Sequence, residues 1–101
     1  MGAEVDVSDA YGWTPLMFAA KTGASDLIRM FLELNADINQ EDKSGNTALL
    51  LASASGHVAA VRILLNNRAI LKPNISGLNC LDVAIDNQQG DVVMEMIKNA
   101  R

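Results

Sequence analysis

The chain has 101 residues, half of them hydrophobic and only 4% aromatic, so we expect one small domain with an aliphatic core. The formal net charge of −4 disfavours nucleic acids and anionic membranes as partners, since both require a basic face. Residues 1–61 hold eight acids and three bases, which predicts an acidic surface at that end.

Targeting signals and disulfides are also not expected. No apolar run approaches the ~20 residues of a membrane span, so we predict no direct membrane contact. Met1 is followed by neither a basic region nor an apolar stretch, so we expect no signal peptide. Cys80 is the single cysteine, which favours a reducing compartment. A cytoplasmic location follows, and it leads us to discount the glycosylation triplet 74–76.

The chain repeats itself from its first residues. Because 3–6 is similar to 36–39, we expect residues 1–8 to be the tail of an upstream repeat in a longer array. Residues 9–41 align with 42–74 at a shift of 33, and a third copy follows at a shift of 32. The aligned identities of the first two copies include Asp9/Asp42, Gly12/Gly45, Thr14/Thr47, Leu16/Leu49, Ala19/Ala52, Gly23/Gly56, Arg29/Arg62, Leu32/Leu65 and Ala36/Ala69.

Each unit has the pattern of two short helices. Thr14 can cap a first helix that begins at Pro15, and Gly23 can end it. The apolar spacing i, i+3, i+4 continues in a second helix that contains Leu27 and Phe31. One helix pair is too small to bury its apolar face alone, so the units must stack, and small alanines on the first helices allow close approach.

The segment Asp9-x-x-Gly12-x-Thr14-Pro15-Leu16-x-x-Ala19-Ala20-x-x-Gly23 resembles the ankyrin repeat signature. The resemblance covers about nine tenths of the chain and implies an all-α solenoid of helix-turn-helix units joined by β-hairpin fingers, with a concave face. The implied organisation is an upstream tail over 1–8, then repeats over 9–41, 42–73 and 74–101, the last of them cap-like because it is more polar.

The sequence departs from the family pattern at several positions. The family usually carries histidine where this chain has Met17, Leu50 and Asp82, so a Thr–His hydrogen bond is absent and packing is expected to hold the helix starts. Residues 77–85 are similar to the last ankyrin unit of A-type transient receptor potential channels. The alternative function is therefore a cytosolic ankyrin segment of such a channel, with a structural or gating role.

Few residues have side chains suited to catalysis or metal binding. His57, the single histidine, is expected to be structural at the start of a second helix, and Cys80 to be a buried, inert thiol. One histidine and one cysteine do not make a zinc site, and the cluster of Asp37, Glu41 and Asp42 lacks a calcium-loop spacing. We therefore predict that the chain has no catalytic residues, binds no metal or cofactor and is not an enzyme.

The resemblance implies that a protein partner binds the finger tips and the exposed side of the first helices. Tyr11 and Trp13 are the expected anchors, although Trp13 could instead pack along its own finger. The acidic surroundings predict a partner with a basic rim. Val5, Leu16 and Leu27 are expected to be partly uncovered at the N-terminal face, where the chain could self-associate. The predicted partner-binding residues are Tyr11, Trp13, Lys21, Thr22, Lys43, Asn46, Ala54 and Ser55.

Overall fold

The computed structural model describes residues 5–99, except for the side chains of Asp86 and Asn99. Most of the predicted upstream tail, residues 1–4, lies outside the described residues, as do 100 and 101. Six α-helices form the described chain: α1 Pro15–Thr22, α2 Ser25–Glu33, α3 Ala48–Ser55, α4 Val58–Asn66, α5 Cys80–Asp86 and α6 Gly90–Asn99.

The helices form two layers of a stack. The first helices α1, α3 and α5 pack side by side in one layer, and the second helices α2, α4 and α6 pack in the other. Each first helix also packs on the second helix of its own pair. The stack is 36 Å long and 26 by 23 Å across. The predicted all-α repeat fold is confirmed.

Hydroxyl and amide side chains cap the first helices. Thr14 Oγ1 accepts a hydrogen bond from the Met17 N–H at 3.3 Å, and Thr47 caps α3 in the same way. In the third pair Asn79 and Asp82 form a reciprocal capping box. The predicted threonine caps are confirmed, so these helix starts are held by hydrogen bonds and not by packing alone.

Left-handed residues end the first helices. Gly23 and Gly56 have φ angles of 76° and 77°, a conformation that glycine adopts without a steric penalty. A Cβ at Gly56 would also lie 2.2 Å from Gln89 Oε1, so the Gln89 side chain of the next unit would have to move to admit one. In the third pair Gln88, with φ of 58°, takes the left-handed position.

The segments before the first helices are tight turns that we call the first, second and third fingers, at residues 9–13, 42–46 and 74–78. Adjacent fingers are joined by single backbone bonds, Lys43 N–H to Tyr11 O and Ile75 N–H to Ser44 O, both 3.0 Å. Residues 5–99 contain no β-strand, so the predicted β-hairpin character of the fingers is not confirmed. One bond per junction is too few to form a ladder.

Small side chains fill the space between first helices. Ala20, Ala52 and Ala84 are fully buried, as expected from the sequence. Ser53 is also fully buried, and its hydroxyl donates to Leu49 O at 2.7 Å, which removes the cost of burying a polar group. Larger side chains complete the core, among them Leu16, Ile28, Leu49, Val61, Leu64 and Val92.

The two ends of the stack differ from expectation. At the N-terminal end Leu27 is 45% exposed and Val5 is half-buried, but Leu16 is 1% exposed, so the prediction for Leu16 was wrong. Leu16 belongs to the buried core instead. At the C-terminal end, where a more polar unit was expected, Leu81 and Ile85 are exposed, and the cap-like role of this unit stays a prediction.

Replacing Thr47 with alanine is expected to lower the free energy of unfolding by about 1 kcal/mol, because the buried Leu50 N–H loses its acceptor. Urea unfolding followed by circular dichroism measures the loss. Thr47→Ser keeps the hydroxyl and is expected to recover most of it. Equal destabilisation by alanine and serine would show that the threonine methyl group, not the cap, provides the stability.

Candidate protein-interaction surface

A groove of about 470 Å³ lies between the first two fingers and the start of α1. Its position follows from the stack, because close packing of α1 on α3 brings the two fingers side by side. We call it the aromatic groove, since it contains three of the four aromatic residues of the chain. Its lining consists of Asp9, Tyr11, Trp13, Phe18, Asp42, Lys43, Ser44 and Asn46.

Aspartates fix the shape of the two fingers. Asp9 Oδ1 accepts hydrogen bonds from the Tyr11 and Trp13 N–H groups, both at 2.9 Å. Asp42 Oδ1 makes the same two bonds in the second finger, at 2.8 and 2.9 Å. A side chain that hydrogen-bonds its own turn orders the loop without help from neighbours. The backbone walls of the groove are therefore held within each finger.

Trp13 connects the two fingers. Its indole N–H donates to Asp42 Oδ2 at 2.9 Å, and its ring meets Phe18 edge to face, with centroids 4.9 Å apart and an interplanar angle of 61°. Trp13 is half-buried by these contacts, whereas Tyr11 is 74% exposed and Phe18 48% exposed. Trp13 is thus a fixed wall of the groove, and Tyr11 and Phe18 are its accessible aromatic surfaces.

The structure divides the predicted site residues into two groups. Tyr11, Trp13, Lys43 and Asn46 line the aromatic groove. The other four lie at the C-terminal ends of first helices, where Lys21 and Thr22 end α1. Both are exposed, but the Thr22 hydroxyl donates to Phe18 O at 3.0 Å. The corresponding residues at the end of α3, Ala54 and Ser55, are half-buried.

Asn46 has a structural task that the sequence did not suggest. Its amide donates to Asp42 Oδ2 at 3.3 Å, and its oxygen accepts from Asn74 Nδ2 at 3.0 Å. Asn46 therefore links the second finger to the third. Phe18, in contrast, was missed as a groove residue. The sequence did contain a signal for this role, because Phe18 is a large aromatic side chain on α1 beside the apolar face that includes Leu16.

The two residues with reactive side chains are structural. His57 Nε2 lies 2.9 Å from Lys21 O, and its ring fits against Gly23, where a Cβ would be 2.7 Å from Nδ1. His57 therefore ties the second unit to the first. Cys80 is fully buried, and this burial raises the pKa of its thiol from an ordinary value of 9.0 to about 11, partly offset by a hydrogen bond with Ser53.

The acidic residues near the fingers do not converge. Glu41 pairs with Lys72 of the next unit, and both oxygens of Asp42 accept hydrogen bonds within the fingers. Among residues 5–99, no three His, Cys, Asp or Glu side chains lie close enough together to hold a metal ion. In the same part of the chain, no helix has both the length and the apolar character to cross a membrane.

A second concavity of about 420 Å³ lies between the second helices α2 and α4, away from the fingers. Arg29 and Arg62 line it, with Glu33 beside them. Arg62 forms a two-bond ion pair with Glu95 of α6, at 3.1 and 3.3 Å, which raises the pKa of the guanidinium. Because this arginine already holds α4 to α6, the concavity is weaker as a binding site than the aromatic groove.

Stacked helix pairs joined by finger turns define a helical repeat protein. Comparison with known families agrees with this class. Residues 2–52 match "Ankyrin repeats (many copies)" and residues 35–101 match "Ankyrin repeats (3 copies)". The chain belongs to the ankyrin repeat family, whose members are generally non-enzymatic interaction modules.

The chain is similar to short segments of much larger proteins. It is 44% identical over 70 residues to Inversin of Danio rerio and 48% identical over 59 residues to Inversin of Homo sapiens, which covers 67% and 56% of the chain. Over 72 residues, 71% of the chain, it is 39% identical to Potassium channel AKT2/3 of Arabidopsis thaliana. The matches span 7%, 6% and 9% of these relatives' own lengths.

Asp42→Asn is expected to destabilise the fold by about 1–3 kcal/mol, because an amide N–H₂ would face the Trp13 indole N–H or a turn N–H in place of an acceptor. Asp9→Asn is the matched control, expected to change stability by less than about 0.5 kcal/mol, since Asn74 makes the same two turn bonds in the third finger. Thermal unfolding compares them. Equal losses would contradict the role assigned to Asp42.

Raising the pH is expected to weaken the fold through Cys80. Its folded pKa of about 11 exceeds the ordinary 9.0, so its stabilising contribution is complete below pH 9.0 and is lost as the pH rises toward 11. The loss at about pH 10.5 is roughly 2 kcal/mol relative to about pH 8, measured by urea unfolding. Cys80→Ala has no thiol to ionise, so its stability must fall less over the same range. Parallel pH profiles would contradict the assignment.

Proposed function

We propose that this chain is a protein–protein interaction module that binds its partner through the concave finger side of the stack. The observation that carries the proposal is the aromatic groove, in which a fixed Trp13 adjoins the exposed rings of Tyr11 and Phe18. Aromatic side chains of this kind are enriched among the residues that dominate binding energy. Ordered finger backbones support the proposal further, since a preorganised surface loses less entropy on binding.

The partner of this module has a basic rim. Support comes from the acidic excess of residues 1–61 and from the exposed carboxylates of Asp9 and Asp37 beside the fingers. Exposed charges act mainly on the association rate and on its salt dependence. The proposed surface continues from the groove along the ends of α1 and α3, to Lys21, Thr22, Ala54 and Ser55. We propose a cytoplasmic location, with the unpaired Cys80 thiol as support.

A second candidate function is an array segment of an ion channel that transmits conformation to a membrane part. The likeness of residues 77–85 to A-type transient receptor potential channels favours it, and so does the potassium channel among the relatives. The two candidates differ in what surrounds the segment. Several apolar runs of ~20 residues in the flanking gene sequence would favour the channel. Their absence would favour the free-standing module.

Self-association through the N-terminal face is a further part of the proposal. Leu27, which was predicted at that face, is 45% exposed and Val5 is half-buried, and uncovered apolar patches favour association. Sedimentation equilibrium across a concentration series measures it. A Leu27→Lys variant that stays monomeric, where the wild type dimerises, would support this face as the contact, and dimerisation of both would exclude it.

The binding module is tested by affinity capture from cell lysate with the wild-type chain and a Tyr11→Ser, Phe18→Leu double variant. These replacements are the residues of the second unit, Ser44 and Leu51, so the fold is expected to persist. Loss of a specific partner by at least about tenfold is the expected result. Arg29→Ala, on the opposite side at α2, should retain the partner. Retention by the double variant would refute the finger-side surface.

A further inference from the structure

Most polar groups of the aromatic groove are already used by the protein itself. The Trp13 indole N–H is bound to Asp42, whose two carboxylate oxygens accept four hydrogen bonds in all. The Asn46 amide bridges to Asp42 and Asn74. A ligand therefore meets satisfied polar groups at the base of the groove, and it gains little from hydrogen bonds there.

Two kinds of group in the groove are suited to bind a cation. The first is aromatic surface, provided by the exposed rings of Tyr11 and Phe18 and the partly exposed ring of Trp13. The second is the carboxylate of Asp9, whose two turn bonds both use Oδ1, so that Oδ2 has no hydrogen bond from residues 5–99. Aromatic faces attract cations through the ring quadrupole, and a neighbouring carboxylate adds a direct charge.

We infer that the aromatic groove receives an arginine side chain of the protein partner, with the guanidinium between the aromatic rings and Asp9. This inference rests on the proposed function and gives the basic rim a specific anchor. Arginine fits better than lysine because its planar guanidinium stacks on rings and is weakly hydrated, whereas an ammonium is a strongly hydrated point charge. A purely apolar side chain would make no use of Asp9 Oδ2 beside it.

Lys43 sets the orientation of the arginine. It is exposed and lines the same groove, so its ammonium repels a guanidinium that approaches from the second finger. The arginine therefore enters from the Asp9 side. Removing the Lys43 charge with Lys43→Gln is expected to tighten binding, which is opposite in sign to the effect of removing the Asp9 charge.

The corresponding place between the second and third fingers lacks these features. Where the aromatic groove has Tyr11, Trp13 and Phe18, the second unit has Ser44, Asn46 and Leu51. The second unit does carry an aspartate at the position of Asp9, but both oxygens of Asp42 accept hydrogen bonds. Both the aromatic surface and the available carboxylate oxygen are thus specific to the first junction.

The test is a titration with the peptide acetyl-Gly-Arg-Gly-amide, followed through the fluorescence of Trp13, the single tryptophan. The matched probe carries citrulline in place of arginine, which keeps the planar end and removes the charge. We expect saturable binding of the arginine peptide, at least about fivefold tighter than the citrulline peptide and weaker at about 500 mM salt than at about 50 mM. Equal binding of the two peptides, or no binding, overturns the inference.

Variants taken from the sister units locate the site without changing the fold. Asp9→Asn copies Asn74 and is expected to weaken arginine-peptide binding about threefold to tenfold, as is Phe18→Leu, which copies Leu51. Lys43→Gln should strengthen it, and Arg29→Ala on α2 should leave it unchanged. Circular dichroism confirms folding of each variant. Wild-type affinity in both Asp9→Asn and Phe18→Leu would exclude the groove as the arginine site.

The same variants separate this inference from the proposed function. If the captured lysate partner is lost by Tyr11→Ser, Phe18→Leu but held at full affinity by Asp9→Asn, the interaction surface stands and the arginine anchor is refuted. If Asp9→Asn also releases the partner, both the interaction surface and the arginine anchor are supported. If the wild type captures nothing, the proposed function fails, and the peptide titration still decides whether the groove binds arginine.

Discussion

Close packing between neighbouring first helices is the constraint on which the rest of the structure depends. Ala20, Ala52 and Ser53 leave α1, α3 and α5 close together, and this spacing brings the fingers side by side. The single backbone bond between adjacent fingers then completes each junction. The aromatic groove exists because two fingers meet at this distance, so the interaction surface is a product of the stacking of units and not of any one unit.

Hydrogen bonds of polar side chains hold the stack together. Trp13 bonds to Asp42 and Asn46 to Asn74 between fingers, and the His57 ring bonds to Lys21 O behind them, so each contact joins one unit to the next. Partial burial strengthens the two finger bonds, and it also removes their polar groups from contact with a partner. What remains accessible is aromatic surface and a carboxylate, which narrows the chemistry of the ligand that the groove can accept.

Family membership defines the scaffold, while the choice of partner depends on a few exposed positions. Buried positions of the first helices carry the same residue in all three units, such as Ala19, Ala52 and Ala84. The finger positions differ, with tyrosine, serine and serine at 11, 44 and 76. An ankyrin scaffold tolerates such change because finger side chains contribute little to the core, so one fold can serve unrelated partners.

The sequence by itself determined the repeat, the six helices and the capping of the first helices, because these depend on local spacing and local hydrogen bonds. Only the tertiary structure decided which side chains form contacts between units and are therefore not free to bind a partner. Asn46 was expected at the binding surface and proved to bridge fingers, and Leu16 was expected at an open face and is buried. The partner of Asn46, Asn74, lies about one repeat away in the chain, so no local pattern specifies this contact. Phe18 became evident as a groove residue only from the structure, because the groove that it lines forms where two fingers meet.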